Sequence, residues 1–176
     1  MLHLNGAPGV GKSTLARRWA AEHPGTLDLD IDVLRTLVGG WQQDFAGAGG
    51  VIRPVALAAL SAHLAEGRDV VLPQLIARPS ELERFRAAAG EANYVHVLLT
   101  APRTALEERL AARLCSGDAA EATVAAVLLA AGGRAQLDRF EDLLRTLVAG
   151  DPAGRVVKTV DGDPDATYAA LVAVVG

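Results

Sequence analysis

The sequence is poor in cysteine and in aromatic residues, and both shortages narrow the class of protein. Its 176 residues contain one cysteine, Cys115, which excludes an internal disulfide bond. No motif surrounds Cys115, so we expect a buried or incidental thiol rather than a nucleophile. Aromatic residues make up 4% of the chain and hydrophobic residues 51%, so leucine, valine and alanine must fill the core. This composition indicates a globular protein, and we expect residues 1–176 to form a single domain.

The chain also lacks a charge excess and a long apolar run. Lys and Arg number 17 against 21 Asp and Glu, which gives a net charge of −4, and the basic residues are scattered. A dedicated nucleic-acid surface is therefore not expected, although a polynucleotide end as substrate stays open. The longest unbroken apolar run, residues 124–131, is far shorter than the ~20 residues of a membrane-spanning helix. Met1 leads directly into an apolar run without a signal peptide, so we expect a cytoplasmic protein that binds no membrane.

Strand-like and helix-like segments alternate along the chain. Apolar runs predict strands over residues 2–4, 26–29, 69–72, 94–99 and 155–160. Helical periodicity and capping residues predict helices over residues 12–23, 32–38, 52–66, 79–89, 102–114, 119–131, 134–149 and 164–175. Nearly continuous apolar strands are typical of parallel strands covered on both faces, so the alternation predicts a three-layer α/β fold with a doubly wound sheet. His3 and His96 lie inside predicted strands and are expected in the core.

Two glycine-rich stretches interrupt this alternation, one within residues 39–50 and one at 132–133. Both are candidate hinges around mobile segments, and both are equally compatible with ordinary loops. Polar and aromatic residues lie within the first stretch: Trp41, Gln42, Gln43, Asp44 and Phe45. They are candidates for an acceptor-binding insertion over residues 39–51 or for a loop packed on the surface.

The most specific motif is a glycine-rich loop at residues 6–13, which read G-A-P-G-V-G-K-S. It matches the G-x-x-x-x-G-K-[ST] phosphate-binding loop (P-loop, or Walker A motif), with a predicted strand before it and a helix after it. The glycines let backbone N–H groups converge on a phosphate, and the helix adds its positive N-terminal end. Lys12 is expected to bind the β- and γ-phosphates of ATP and Ser13 to bind Mg²⁺. The expected nucleotide-binding residues are Gly6, Ala7, Pro8, Gly9, Val10, Gly11, Lys12, Ser13 and Thr14.

A second set of candidates follows the second predicted strand. Asp30, Asp32 and Arg35 lie at its carboxyl end, where open α/β sheets bind their ligands. Phosphoryl transfer to a hydroxyl needs a carboxylate that orients the acceptor and takes its proton, and Asp32 is the candidate for this base. Asp30 is a candidate for holding Mg²⁺ or positioning Asp32, and Arg35 for binding the acceptor or the transferred phosphoryl group. The alternative is that Asp32 only caps the helix that follows.

The helix after the fourth predicted strand carries a pair of arginines. Arg109 and Arg113 are four residues apart and therefore share one helix face. Two neighbouring cations favour an anion between them, and we expect both to stabilise the transition state at the γ-phosphate. The alternative is that Glu107 or Glu108 pairs with them on a solvated face. Arg134 and Arg139 are expected on the surface, and the alternative is that one of them reaches the cleft.

In these three segments, the P-loop, the Asp30–Arg35 run and the arginine helix, the chain resembles a group of small AAA-type ATP-binding P-loop kinases. The group includes chloramphenicol phosphotransferase, zeta-type toxins and the kinase domain of polynucleotide kinases. The resemblance implies five parallel strands in the order 2-3-1-4-5, and a small helical lid over about residues 109–134. It also implies Asp32 as acceptor base, and contact of the loop at 160–163 with the nucleotide base.

One position departs from the pattern of P-loop proteins. The third predicted strand ends with Pro73 and Gln74, where many P-loop NTPases have an acidic residue that holds Mg²⁺ through water. Gln74 is then a candidate substrate-binding residue, and Mg²⁺ depends on Ser13, the phosphates and Asp30. Together the motifs predict an ATP- and Mg²⁺-dependent kinase that phosphorylates a hydroxyl of a small molecule. The alternative is a nucleotide-binding ATPase or regulatory switch without an acceptor.

Overall fold

The protein is described by a computed structural model that covers residues 1–115, 117 and 119–176. Within these residues, parallel strands form one sheet in the order β2-β3-β1-β4-β5, which confirms the expected fold and topology. The strands are β1 (Leu2–Gly6), β2 (Leu27–Asp28), β3 (Val70–Leu72), β4 (Val95–Thr100) and β5 (Gly154–Lys158). Because β1 is central and pairs with β3 and β4, the loop that follows it emerges at the middle of the sheet edge.

Helices cover both faces of the sheet. They are α1 (Lys12–Glu22), α2 (Ile31–Arg35), α3 (Phe45–Ala65), α4 (Pro79–Ala89), α5 (Arg103–Leu114), α6 (Ala119–Ala130), α7 (Arg134–Ala149) and α8 (Pro164–Val175). Strand β3 shows the division of the core: Val70 and Leu72 belong to the cluster with α2, α3 and α4, whereas Val71 belongs to the cluster with α1, α5, α6 and α8. This alternation follows from the two-residue repeat of side-chain direction in a strand.

The central strands bury polar side chains as well as apolar ones. His3, Asn5 and His96 are 0% exposed, and the rings of the two histidines stack with centroids 4.8 Å apart. The hydroxyl of Tyr94 donates to Nδ1 of His3 at 2.9 Å, and Nδ1 of His96 donates to Asp151, which also pairs with Arg86. We call these groups the buried polar network: His3, Asn5, Arg86, Tyr94, His96 and Asp151. The expectation that both histidines are core residues is confirmed.

Helix α3 begins earlier than the sequence predicts. The expected start was residue 52, with a glycine-rich loop before it, but the helix begins at Phe45 and includes Gly47, Gly49 and Gly50. Its N-cap is Asp44, whose carboxylate accepts the N–H of Gly47 at 2.8 Å. The expectation of a loop over residues 45–50 is therefore wrong.

Helix α3 is also long and apolar enough, by length and composition alone, to cross a membrane. Its sequence holds no long unbroken apolar run, because Arg53 and His63 interrupt it. Ile52, Ala56 and Leu60 of this helix are buried against β3 and α4. Cys115, at the end of α5, is exposed rather than buried, with no disulfide partner.

Candidate active site

The P-loop connects β1 to α1 and bends back over the start of the helix. Gly6, Gly9 and Gly11 have φ of 149°, 84° and 102°, a region that favours glycine. A Cβ on Gly6 would lie 2.7 Å from the carbonyl oxygen of Leu99, so that strand β4 leaves no room for a side chain there. The sequence motif thus forms the tight turn that it predicts.

Lys12 folds over this loop. Its ammonium group donates to the carbonyl oxygens of Gly6 at 2.9 Å and Ala7 at 3.1 Å. Burial lowers the pKa of Lys12 to about 8; Asp32 and Asp30 attract its charge, and Arg113 repels it. The charge of Lys12 is therefore poorly compensated, and a bound phosphate would stabilise it.

Two cavities flank the P-loop, and both extend to Gly9 and Gly11. We call the first, of about 450 Å³, the nucleotide-side cavity. It is lined by the P-loop, Thr14, α5 and residues 159–164. We call the second, of about 380 Å³, the acceptor-side cavity; it lies between the P-loop, α2, α3, residues 73–75 after β3 and the helices α6 and α7. Lys12, Ser13 and Asp32 line the acceptor-side cavity, and Arg113 lines both.

The two arginines of α5 take different positions. Arg109 donates to the carbonyl oxygen of Gly9 at 3.2 Å and to the carboxylate of Asp161 at 2.8 Å, so it connects the P-loop to the loop after β5. Arg109 lines only the nucleotide-side cavity, whereas Arg113 lines both cavities and lies where they meet. Glu107 pairs with Arg134, which is 70% exposed, and Arg109 pairs with Asp161 rather than with Glu107.

Asp30 and Asp32 differ in what their carboxylates do. Asp30 is the N-cap of α2: its Oδ1 accepts the N–H groups of Asp32 at 2.9 Å and Val33 at 3.4 Å. The helix is thus capped by Asp30 rather than by Asp32. Asp32 occupies the first turn of α2 and lines the acceptor-side cavity. Burial raises the pKa of Asp32, although Arg35 and Lys12 counteract the shift.

Arg35 is held in place from three sides. Its Nη1 lies 2.9 Å from Oδ1 of Asp32, and its guanidinium lies 3.8 Å from the ring centroid of Phe45. A Cβ on Gly49 would lie 3.2 Å from Nη2 of Arg35, so α3 approaches the guanidinium closely only because residue 49 is glycine. No sequence signal pointed to Gly49, and Phe45 was one of five candidates in its segment. Trp41 to Asp44 do not line the acceptor-side cavity.

Two further polar groups line the acceptor-side cavity. Arg53 of α3, which the sequence analysis missed, pairs with Glu81 of α4 at 2.8 Å. No local pattern could have found it, because the pair joins two helices. Gln74, a predicted site residue, is 5% exposed. Its Oε1 is buried and has no hydrogen-bond partner among the described residues. An unpartnered buried acceptor of this kind favours a ligand that donates a hydrogen bond.

The residues present fit ATP and Mg²⁺. The P-loop backbone, Lys12 and Arg113 match a polyphosphate, and the hydroxyl of Ser13 is the ligand that the motif supplies for Mg²⁺. No cluster of three metal-ligating His, Cys, Asp or Glu side chains occurs in the described part of the chain. This agrees with Mg²⁺, which retains waters and takes phosphate oxygens rather than an all-protein cage.

Comparison with known proteins agrees with this geometry. The AAA domain family model matches residues 1–141. Among solved structures, the Deinococcus radiodurans tunicamycin resistance protein matches with a TM-score of 0.59 at 22% identity, covering 99% of this chain and 94% of that chain. A gluconokinase from Sinorhizobium meliloti 1021 matches with a TM-score of 0.58 at 19% identity, covering 98% and 91%. No curated protein matches the chain.

These matches span the P-loop, the strand order and both cavities, and members of this P-loop kinase-like group use ATP with Mg²⁺. The chain belongs to the AAA domain family of P-loop kinase-like proteins.

Proposed function

We propose that this protein transfers the γ-phosphoryl group of ATP to a hydroxyl of a small molecule. We further propose that residues 1–176 form one domain and that the protein acts in the cytoplasm, since ATP is the donor. The observation that carries the proposal is the position of Asp32. Its carboxylate lines a cavity that adjoins the P-loop on the side opposite the nucleotide-side cavity. A donor and an acceptor bound in these cavities would meet at the P-loop, beside Lys12 and Arg113.

Asp32 is suited to accept the proton of the attacking hydroxyl. Its raised pKa makes the carboxylate a stronger base than an exposed aspartate, while the Arg35 pair fixes its orientation. Asp30 holds the first turn of α2 and thereby positions Asp32; it also remains the candidate carboxylate for a water-bound Mg²⁺. Mg²⁺ held by Ser13 and the phosphates would offset phosphate charge.

The cations divide their roles by position. Lys12 exchanges its two carbonyl partners for phosphate oxygens when ATP binds. Arg113, at the junction of the cavities, is positioned to stabilise the charge that develops on the transferred group. Arg109 supports the nucleotide side by connecting Gly9 to Asp161, which differs from the joint role that the sequence suggested.

A second candidate function is ATP hydrolysis or nucleotide-dependent switching without an acceptor. It is favoured by Gln74, which occupies the place of the acidic residue that many P-loop NTPases use for Mg²⁺. The two functions differ in their products. The kinase converts a member of a panel of hydroxyl metabolites, nucleosides and antibiotics into a phosphorylated product, whereas the ATPase releases only ADP and phosphate.

The test is Asp32→Asn, with Asp28→Asn as matched control. Asp28 lies on the same segment, at the end of β2, but does not line the acceptor-side cavity. We expect Asp32→Asn to lower kcat for γ-phosphoryl transfer at least about 100-fold, while calorimetry shows the Kd for ATP within about twofold of wild type. Asp28→Asn is expected to retain activity. Unchanged transfer in Asp32→Asn would remove Asp32 from the mechanism.

A further inference from the structure

We propose that the groove between α4 and α7 is a second ligand site and that it binds a small molecule with an apolar body and an ammonium group. We call it the α4–α7 groove. Its volume is about 420 Å³, and among the described residues it shares no lining residue with the two cavities at the P-loop. The site is therefore independent of the proposed function, and its ligand is neither the donor nor the acceptor of the phosphoryl group.

The floor of the α4–α7 groove is apolar and largely buried. Leu82 of α4 is 2% exposed, Leu147 of α7 is half-buried, and both line the groove. Leu143, at 42%, is the only large apolar side chain in the described lining that is exposed. A volume of about 420 Å³ lies in the range of small-molecule sites, whereas a protein partner would need about 800 Å² of contact surface on each side. The groove therefore fits a small apolar body better than a second protein.

Carboxylates outnumber cations in the lining of this groove. The carboxylates belong to Glu83, Asp142 and Asp151, and the guanidinium of Arg86 is the one cationic group in the described lining. Arg86 is shared, because it pairs with Glu83 at 3.2 Å and also with Asp151. His96 donates to Asp151 as well, but burial lowers the pKa of His96, so this histidine adds no positive charge at neutral pH. Three negative groups therefore face one positive group, which favours a cationic ligand.

Two of the negative features have no positive partner of their own. The carboxylate of Asp142 forms no ion pair or hydrogen bond with any residue that the structure describes. Helix α7 has no basic residue in its last turn, and Thr146, Leu147 and Gly150 at this end line the groove. The C-terminal end of a helix is negative, because its last carbonyl groups lack helical partners. An ammonium group carries three donors, so one such group can bind a carboxylate and a helix carbonyl oxygen together.

The experiment compares three probes that differ in their polar end: phenylbutylammonium, phenylbutanol and phenylbutyrate. Each is titrated into the isotope-labelled protein in the presence of Mg²⁺ and a non-hydrolysable ATP analogue. Amide shifts in the NMR spectra then identify the binding site and give the Kd. We expect shifts at the residues of the α4–α7 groove and a Kd for the ammonium probe about three- to fivefold below that of the alcohol, the range of a partly exposed ion pair. The carboxylate probe should bind more weakly than the alcohol.

Salt and a charge substitution test the electrostatic part. A rise in ionic strength from about 0.05 M to about 0.5 M should reduce the preference for the ammonium probe and leave the Kd of the alcohol nearly constant. Asp142→Asn should reduce this preference at least about twofold. Glu66→Gln, which removes an equal charge outside the groove, is the control and should leave the preference unchanged. A preference that survives both high salt and Asp142→Asn would overturn the assignment of a cation.

A second pair of variants tests the apolar floor. Leu143→Ser changes a leucine that lines the groove, and Leu114→Ser in α5 is the matched control, since the two leucines are 42% and 43% exposed. We expect Leu143→Ser to raise the Kd of all three probes at least about threefold and Leu114→Ser to leave these values unchanged. Equal effects of the two variants would contradict binding at this floor.

Other results would overturn the site itself. One is the absence of shifts at the α4–α7 groove with every probe at about 10 mM. Another is a set of shifts confined to the acceptor-side cavity. A third is a carboxylate probe that binds as tightly as the ammonium probe. A sedimentation coefficient that falls on dilution of the wild type, but not of Leu143→Ser, would assign the groove to a second copy of the chain instead.

Discussion

The low pKa of Lys12 predicts that ATP binding takes up a proton. Burial lowers the pKa of this ammonium to about 8 in the ligand-free protein, whereas its ordinary value is 10.5. Bound phosphates restore the charged form, because they replace two neutral carbonyl partners by anions. Above pH 8, binding must therefore be accompanied by protonation of Lys12.

The magnitude follows from linkage between protonation and binding. With a pKa of about 8, the fraction of neutral Lys12 is about one tenth at pH 7 and about nine tenths at pH 9. The apparent Kd for ATP·Mg²⁺ should therefore rise about tenfold between pH 7 and pH 9. A lysine at its ordinary pKa would leave the Kd nearly constant over this range.

Isothermal titration calorimetry measures both effects. In two buffers of different ionisation enthalpy, we expect uptake of about 0.9 protons per ATP at pH 9 and about 0.1 at pH 7. Lys12→Arg is the control, because a guanidinium stays charged throughout and every other titrating group is retained. A flat Kd in the wild type, or the same pH slope in Lys12→Arg, would refute the reasoning.

Two further predictions concern packing and stability. Gly49→Ala should displace the Arg35 guanidinium and raise the KM for the acceptor. The control is Gly50→Ala, whose Cβ meets nothing within 4 Å, so it should only stabilise α3 by about 0.5–1 kcal/mol. Equal acceptor kinetics in the two variants would contradict this prediction. Burial alone would raise the pKa of Asp151. Hydrogen bonds from His96, the Ala153 N–H and Arg86 outweigh this effect and lower the pKa below its ordinary value of 3.8. Asp151 therefore stabilises the fold above about pH 4, and this contribution is lost as the pH falls through the lowered pKa. In urea titrations, Asp151→Asn should lower the free energy of unfolding by about 3 kcal/mol at pH 7 and by less at pH 3; an equal loss at both values would contradict the charge argument.

The P-loop and the strand order were predictable from sequence because their signals are local or come from a recognised family. The glycines at residues 6, 9 and 11 are required by the backbone of the turn itself. The start of helix α3 was not predictable, because its first turns contain three glycines. Each glycine in a helix costs about 1 kcal/mol relative to alanine. The Asp44 cap and the packing of Gly49 against Arg35 compensate for this cost, and the second of these is a tertiary contact.

The acidic run after β2 illustrates a second limit. In an extended chain the side chains of Asp30 and Asp32 would face the same side. The chain instead turns into α2 at Ile31, so Asp30 becomes the cap and Asp32 reaches the cavity. Two residues of the same type, two positions apart, thus separate into a structural and a candidate catalytic carboxylate. The pair of Arg53 with Glu81 also depends on tertiary structure, because it joins α3 to α4.

The buried polar network explains how the two sides of the site keep their relative position. Asn5 accepts the N–H groups of Gly6 at 2.9 Å and Ile76 at 3.0 Å, and donates to the carbonyl of Ile76 at 2.8 Å. His3 donates to the carbonyl of Gln74 at 2.9 Å, and its pKa of about 3, lowered by burial and by His96, keeps it neutral. The start of the P-loop and the segment that carries Gln74 are therefore fixed to the same central strand. Such polar groups are unusual in a parallel sheet core, and here they hold the segment that carries Gln74 at a set distance from the P-loop.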